Sequence, residues 1–242
     1  MRSVLKRIPP VRLLVRLQRR VRGRLRTRLV LGLGRRTPVS RAFGWDRGTA
    51  IDRVYIERFL ERQAEDIRGT VLEIEDPAYT RRFGGDKVTR SEVLHAVEGN
   101  PQATFVGDLE TGQNIPKDHY DCIILTETLY LIGDMRAALE NARDALREGG
   151  VLLVTSGFLM PIDIEIRPVW ADRWRFSDEG ARLLFGEVFG PENVTVGVHG
   201  NVLTASAFLY GLAAEDLPRG AFEHNDEERQ FPVTVTVRAQ KA

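Results

Sequence analysis

Cysteine is nearly missing from this chain. Cys122 is the only one, so no intrachain disulfide can form, and a reducing, cytoplasmic setting is expected. Its place in the apolar run Cys122-Ile-Ile-Leu125 makes it a buried strand residue rather than a reactive thiol. Uninterrupted apolar runs are also missing from the N-terminal region, where arginines recur too often for a bilayer span or a secretory h-region. No aromatic residue precedes Phe43, so that region has no platform for stacking bases, which counts against nucleic acid, single strands above all, as its partner. There is no internal repeat, and no low-complexity segment beyond the N-terminal arginines. What remains, 242 residues of which 43% are hydrophobic, is enough for one domain of ordinary size plus an extension.

Acidic residues are scarce at one end only. Residues 1–47 hold fifteen Lys/Arg against the single acid Asp46, a net +14, while the other 195 residues carry −13. Leu14, Leu17, Val21, Leu25 and Leu29 recur at helical spacing among the arginines, with Pro9-Pro10 before them and Gly32, Gly34 and Pro38 after. The pattern predicts a basic amphipathic arm over residues 1–38, weakened by Gly23, ahead of an α/β domain over 39–242. Three readings of the arm compete: a solvated helix or tail, peripheral attachment to an anionic membrane or acidic partner, and nucleic acid. Gly32-Leu-Gly34 is a decoy for a dinucleotide motif, because no strand precedes it.

Beyond the arm, apolar residues at 51, 55, 56, 59 and 60 predict a helix from Asp52 to about Arg68. Strands are expected at Val71–Ile74, Ser91–Val97, Ala103–Val106, Tyr120–Thr126 and Val151–Thr155, with a helix Asp134–Arg147 stopped by Gly149-Gly150. Strands alternating with helical stretches imply a parallel sheet covered on both faces. Phe158–Phe176, rich in Pro, Trp and charge, predicts an ordered insertion, and Ser177 an N-cap for a helix reaching Phe189. A helix over Ala205–Ala214 and strands at Asn193–His199 and Phe231–Arg238 complete the reading.

Seven strands in this order resemble the class I S-adenosylmethionine-dependent methyltransferases, a Rossmann-like, mostly parallel sheet. Four blocks carry the resemblance: Phe43-Gly-Trp-Asp-Arg-Gly-Thr49 with Ile51-Asp-Arg-Val-Tyr-Ile-Glu57; Val71-Leu-Glu-Ile74 through Tyr79-Thr-Arg-Arg-Phe-Gly-Gly85; Val106-Gly-Asp-Leu109; and Tyr120–Thr126 with Leu146-Arg-Glu-Gly-Gly-Val-Leu-Leu153. They are similar to a bacterial subfamily associated with glycan or natural-product gene clusters. The resemblance implies S-adenosylmethionine as cofactor and methyl transfer to a small-molecule or glycan acceptor, with O-methylation of a sugar-containing or natural-product substrate as the leading expectation. A degenerate fold serving as a partner or membrane-surface scaffold is the alternative, and a different reaction in the same pocket is a third reading.

In this fold the ligand lies over the carboxyl ends of the strands, where the strand order reverses. The resemblance therefore marks Glu73, Glu75, Tyr79, Glu98, Asp108, Leu109 and Thr126 for the cofactor. Glu73 would orient the loop or accept from the methionine amino group, Asp108 would accept from adenine, and Leu109 would pack on its ring. Glu98 is equally read as a ribose contact or as part of the Gly99-Asn-Pro101 turn. Glu127 and His199 are candidate catalytic groups. Tyr130, Trp170, Trp174 and Arg175 are candidates for the acceptor site, with Arg175 pairing an anionic group. His95 and His119 are assigned to structure or surface. One departure stands out: the family usually has glycine at position 75, where this chain has glutamate.

Overall fold

The computed structural model describes residues 35–164, 166, 170–223 and 230–242. The chain divides into Met1–Pro38 and Val39–Ala242. The expected arm helix, within residues 1–34, lies outside the described residues.

Among the described residues seven strands form one sheet: β1 (Gly69–Ile74), β2 (Val88–His95), β3 (Phe105–Val106), β4 (Tyr120–Thr126), β5 (Leu146–Gly157), β6 (Val194–His199) and β7 (Thr234–Gln240). Their spatial order is β3-β2-β1-β4-β5-β7-β6. All neighbours are parallel except β7, which runs antiparallel to both β5 and β6. The order reverses between β1 and β4, which opens a crevice at their carboxyl ends.

Side-chain alternation on β4 sets the two cores. Ile123 and Leu125 enter one, beneath α2 (Met135–Ala145) and α3 (Asp178–Phe189), through Ala138, Leu139 and Ala142 and through Phe185 and Phe189. Cys122 and Ile124 enter the other, beneath α1 (Ile51–Arg62), with Ile56, Phe59 and Leu60. A period of two on a strand covered on both faces leaves its middle no position for charge, which is why Cys122–Leu125 reads as an unbroken apolar run, with the strand's one acid, Asp121, near its start. A third cluster joins Ile51 and Tyr55 of α1 to Ala205 and Phe208 of α4 (Val202–Leu209).

The helix starts follow their caps. Asp134 accepts from the Ala137 amide at 3.0 Å, Ser177 from Gly180 at 3.1 Å, and Asn201 from Leu203 and Thr204. Several boundaries differ from the sequence expectation. α1 stops at Arg62, and β3 is only two residues long. The second strand starts three residues earlier than expected and ends at His95, because its polar first half pairs with β1 from Gly69 onward. α4 spans 202–209 rather than 205–214. The last strand is Thr234–Gln240 rather than Phe231–Arg238. Gly149-Gly150 does not stop α2, which ends at Ala145. The glycines lie within β5, where the Gly149 amide donates to Lys241 O and the Lys241 amide to Gly150 O.

Gly69 shows what a positive φ secures. Its φ is +65°, and a Cβ there would stand 2.2 Å from the Asp121 carboxylate. That carboxylate accepts from the Thr70 amide at 2.7 Å and fixes where β1 begins.

Candidate functional site

The loop leaving β1 is organised by Glu73. Its side chain is 3% exposed, and its two oxygens accept from the amides of Tyr79 (3.1 Å) and Thr80 (2.7 Å). Burial raises this carboxyl to about 7, against the stabilising amides. Glu73 thus ties residues 79 and 80 of the loop back to the strand end.

Glu75 adopts φ +72°, the left-handed region that glycine occupies without cost and glutamate does not. The backbone is pinned there from outside: its amide donates to Leu94 O at 3.2 Å, and Asn100 Nδ2 donates to its carbonyl at 2.6 Å. The side chain is exposed and makes no hydrogen bond or ion pair with the described residues. The loop therefore keeps the backbone path that a glycine would take, with a carboxylate added.

At the end of β4, Glu127 is another non-glycine residue at positive φ, +47°. Its amide donates to Thr155 O, and its carboxylate accepts from Thr155 Oγ1 (3.2 Å) and the Gly157 amide (2.9 Å) at the end of β5. Burial, reinforced by Asp52, raises it to about 8. Burial likewise raises Asp52. Thr126 precedes it, half-buried, and its carbonyl accepts from Thr128 Oγ1.

Between these two carboxyls the first turn of α1 brings Arg53. Its guanidinium carbon lies 4.8 Å from the Trp45 ring centroid and 5.1 Å from that of Tyr79. The favourable charge of Arg53 acts on Glu73, Glu127 and Asp52, yet among the described residues no carboxylate oxygen comes within 4.0 Å of it. Tyr79 is 6% exposed, stacks on Phe83, and its hydroxyl is buried without a partner among the described residues. Trp45 and Arg53 are positioned by an entry segment fastened at several points. Arg47 forms a two-pronged ion pair with Asp216 (2.8 and 2.9 Å), Thr49 donates twice to Glu215, and Ala50 bridges Ala213. Sequence reasoning singled out the block containing Trp45 and Arg53 but gave these two residues no role. The signal available was an arginine in an otherwise amphipathic helix start.

The other marked residues are placed as follows. Asp108 accepts from the Glu110 amide (2.8 Å) and Thr111 Oγ1 (3.0 Å), closing the turn after β3. Leu109, 5% exposed, packs in the core of α2. Glu98 is exposed in a turn and has no hydrogen-bond partner among the described residues. The insertion after β5 clamps onto residues 130–132: Arg173 and Trp174 amides donate to Tyr130 O, and Trp174 Nε1 to Ile132 O. Arg175 lies over the Tyr130 ring and pairs with Asp172, whose side chain is 2% exposed, so its anionic partner here is internal. Burial raises Tyr130 above the usual phenol range. Trp170 meets the edge of His95 at the end of β2, with 6.2 Å between ring centroids. His119 lies at the opposite end of the sheet, before β4, against Tyr120 and Glu92.

His199 ends β6, two strands beyond β5. It is 9% exposed and stacked with Tyr55, with Nε2 3.0 Å from Thr236 Oγ1. Burial lowers it to about 4, so it is neutral near pH 7 but a weak base. The structure thus brings Glu73, Glu75, Tyr79, Thr126 and Glu127 to the β1/β4 crevice, with Tyr130 and Arg175 beside it, and sets His199 in packed surroundings. A cavity of about 300 Å³ adjoins the insertion, lined by Phe158, Leu159, Met160, Ile162 and Leu209 with Asp172 and Arg175.

The geometry can be set beside known proteins. A solved S-adenosylmethionine-dependent methyltransferase from Archaeoglobus fulgidus superposes with a TM-score of 0.52 at 13% identity, over 78% of this chain and 94% of that one. A methyltransferase from Thermotoga maritima, described as a possible histamine N-methyltransferase, gives 0.48 at 18% identity over 79% and 94%. One from Mesorhizobium loti gives 0.48 at 13% identity over 77% and 98%. No curated protein matches the chain in sequence. The family model described as a methyltransferase domain matches residues 32–189, more than half the chain. With that match and the reversed strand order that opens the site between β1 and β4, the chain belongs to the methyltransferase domain family.

Proposed function

We propose that this protein is an S-adenosylmethionine-dependent methyltransferase that methylates a hydroxyl of a sugar-containing or natural-product acceptor, with Glu127 as the base. The site residues fit the cofactor in kind. Among the described residues Arg53 has no carboxylate partner and the buried Tyr79 hydroxyl no acceptor, which suits a site that needs donors for a charged amino-acid end. Glu73 braces the loop beside it through the Tyr79 and Thr80 amides. When bound, the cofactor supplies an electrophilic methyl on its sulfonium.

The chain's own part is alignment and proton removal. Glu127 is held by Thr155 Oγ1 and the Gly157 amide, so it cannot swing away. Its elevated value near 8 gives the ionised form, which grows as pH approaches 8, affinity for a hydroxyl proton, and that carboxylate keeps lone pairs free beyond the two it uses. As the acceptor oxygen gains the methyl, the acceptor proton passes to Glu127. The Phe158–Ile162 and Leu209 lining would receive an apolar part of the acceptor, beside the Asp172–Arg175 pair.

The observation that carries this reading is Glu127 itself, a half-buried carboxyl anchored from β5 at the crevice mouth. Glu127→Gln should lower the turnover of a panel of glycosylated and phenolic acceptors about 10²- to 10⁴-fold, followed by release of the demethylated cofactor, with cofactor affinity kept. Unchanged turnover would remove Glu127 as base, and no heat on titrating S-adenosylmethionine into the native protein would remove the enzyme reading in favour of a scaffold. The arm is read as a peripheral anchor on anionic lipid from its charge alone. Deleting residues 1–38 should weaken salt-sensitive binding to phosphatidylserine liposomes, and unchanged partition would refute it. Among the described residues no helix is long and apolar enough to cross a membrane.

A further inference from the structure

The outer side of α4 carries no charge at all. The helix reads Val-Leu-Thr-Ala-Ser-Ala-Phe-Leu, and its inner side is spent on Ala205, Ala207 and Phe208, which fill the third cluster. Val202, Leu203 and Leu209 remain exposed, with Ser206 between them. Val202 and Leu209 stand about two turns apart on one line of the helix. The exposed sides of α2 and α3 differ, with Arg136 and Glu140 on the first and Glu179 and Glu187 on the second. A helix that is apolar all round is normally covered on every side.

The apolar surface continues onto the insertion after β5. Leu159 and Met160 pack against the cluster that holds Phe208, and Ile162 lines the same cavity as Leu209. Ile162 is exposed, and so is Ile164 two residues on. A cationic segment is joined to the domain at the end of this helix. Val39, where the domain begins, donates its amide to Tyr210 O at 2.7 Å, immediately after α4. Residues 1–38, which lead into Val39, hold thirteen Lys/Arg and no acid. An uncharged aliphatic face beside the attachment point of a strongly cationic segment supplies both halves of an interfacial lipid contact, apolar groups for the acyl boundary and cations for headgroup phosphates. A second copy of the chain suits the face less well. A stable protein–protein interface uses roughly 20–30 residues a side, whereas aliphatic side chains entering an acyl boundary each add their own burial.

We infer that Val202, Leu203 and Leu209 of α4, with Ile162 and Ile164 of the insertion, form a membrane-contact face that enters the acyl boundary of an anionic phospholipid surface. The inference rests on the reading of the arm as a peripheral anchor and adds a second contact, made by the folded domain itself. The arm contributes attraction that salt screens, and the aliphatic face a contact that salt does not weaken. The cavity lined by Ile162 and Leu209, both exposed, lies at that face.

The experiment uses the full chain and vesicles of phosphatidylcholine mixed with phosphatidylserine. Leu203→Cys, Ile162→Cys and Leu183→Cys each carry one environment-sensitive fluorophore, since the native Cys122 is buried. Leu183, an exposed leucine on α3, is the control away from the face. On vesicles the labels at positions 203 and 162 should shift to the blue and be shielded from iodide, while the label at 183 keeps its aqueous spectrum. Val202→Gln, Leu203→Gln and Leu209→Gln combined should keep the native melting temperature and weaken vesicle binding at high salt at least about tenfold. Ile162→Gln with Ile164→Gln repeats that test off the helix, so a folding defect in one set leaves the other to decide. No shift at 203 in vesicle-bound protein, or equal shifts at 203 and 183, would overturn the inference while leaving the arm as an anchor. A shift at 203 that grows with protein concentration in the absence of vesicles would overturn it in favour of a face between two copies. If the native chain does not bind the vesicles, the arm reading fails with it.

Discussion

Replacing Glu75 with glycine tests the loop from two sides at once. The residue sits at φ +72°, held there by Leu94 O and Asn100 Nδ2 acting on its backbone rather than by any partner of its side chain. An L-residue in this region costs about 1–2 kcal/mol, and glycine returns about 0.5–1 kcal/mol of that as unfolded-state entropy. Glu75→Gly should therefore stabilise the protein by about 0.5–1 kcal/mol, a rise of roughly 1–4 °C in Tm for a domain of this size. Glu75→Ala keeps the Cβ and so keeps the strain, and should show little gain. Asn100→Ala removes the carbonyl clamp and should destabilise both backgrounds, less so the glycine variant. Thermal unfolding by circular dichroism reads all five proteins, the native one included. A glycine variant less stable than the alanine variant would refute the strain argument. The same variants titrated with S-adenosylmethionine decide what the acid does to the site. Comparable affinity in native and glycine proteins is expected from a side chain that is exposed and unpaired. Binding by the glycine variant alone would show that the carboxylate stands in the cofactor's place, and loss of binding would make it a ligand contact.

Three further outcomes are expected. Glu127 is protonated more readily in the folded than in the unfolded protein, so the stability it confers is full below about pH 4.5 and declines as pH rises through about 8. Glu127→Gln should flatten this fall between pH 5 and 9, at about 1.4 kcal/mol for each tenfold preference removed, and a native denaturation midpoint independent of pH over that range would contradict it. Arg175→Met strips a guanidinium from the buried Asp172 carboxylate, and should cost about 1.5–3 kcal/mol in urea unfolding, whereas the double change with Asp172→Asn should cost less. Cys122 is fully buried, and burial raises its thiol above the usual range, so native protein should react with a maleimide only as fast as it unfolds. Rapid labelling without unfolding would disprove its placement in β4.

Much of the fold was legible because periodicity reports burial directly. Tyr120–Thr126 matches its strand to the residue, and the Ser177 cap and α3 were read correctly, since a strand covered on both faces and a serine before an apolar stripe are local statements. Gly149-Gly150 misled because the same dipeptide suits a helix stop and a distorted strand. Only the pairing of Lys241 with both glycines, ninety residues away, distinguishes them. The site was legible by strand end but not by partner. Glu73 and Glu127 were marked because they lie at the ends of β1 and β4, whereas the commitment of Arg175 to Asp172 and the burial of His199 against Tyr55 depend on side chains meeting in space. Arg53 escaped for the same reason in reverse, since what distinguishes it is the absence of a counter-charge among the described residues.

The tie between the entry segment and residues 213–216 has a consequence for the order in which the protein is made. Strands β1, β4 and β5 and the loop braced by Glu73 are all translated by Gly157. Arg47 and Thr49 must wait for Asp216 and Glu215 before Trp45 and Arg53 can settle. β7, translated later still, then slots between two strands already made. A nascent chain halted near residue 200 would carry the crevice but leave its N-terminal rim untethered, so the rim is fastened only after most of the sheet beside it has been made.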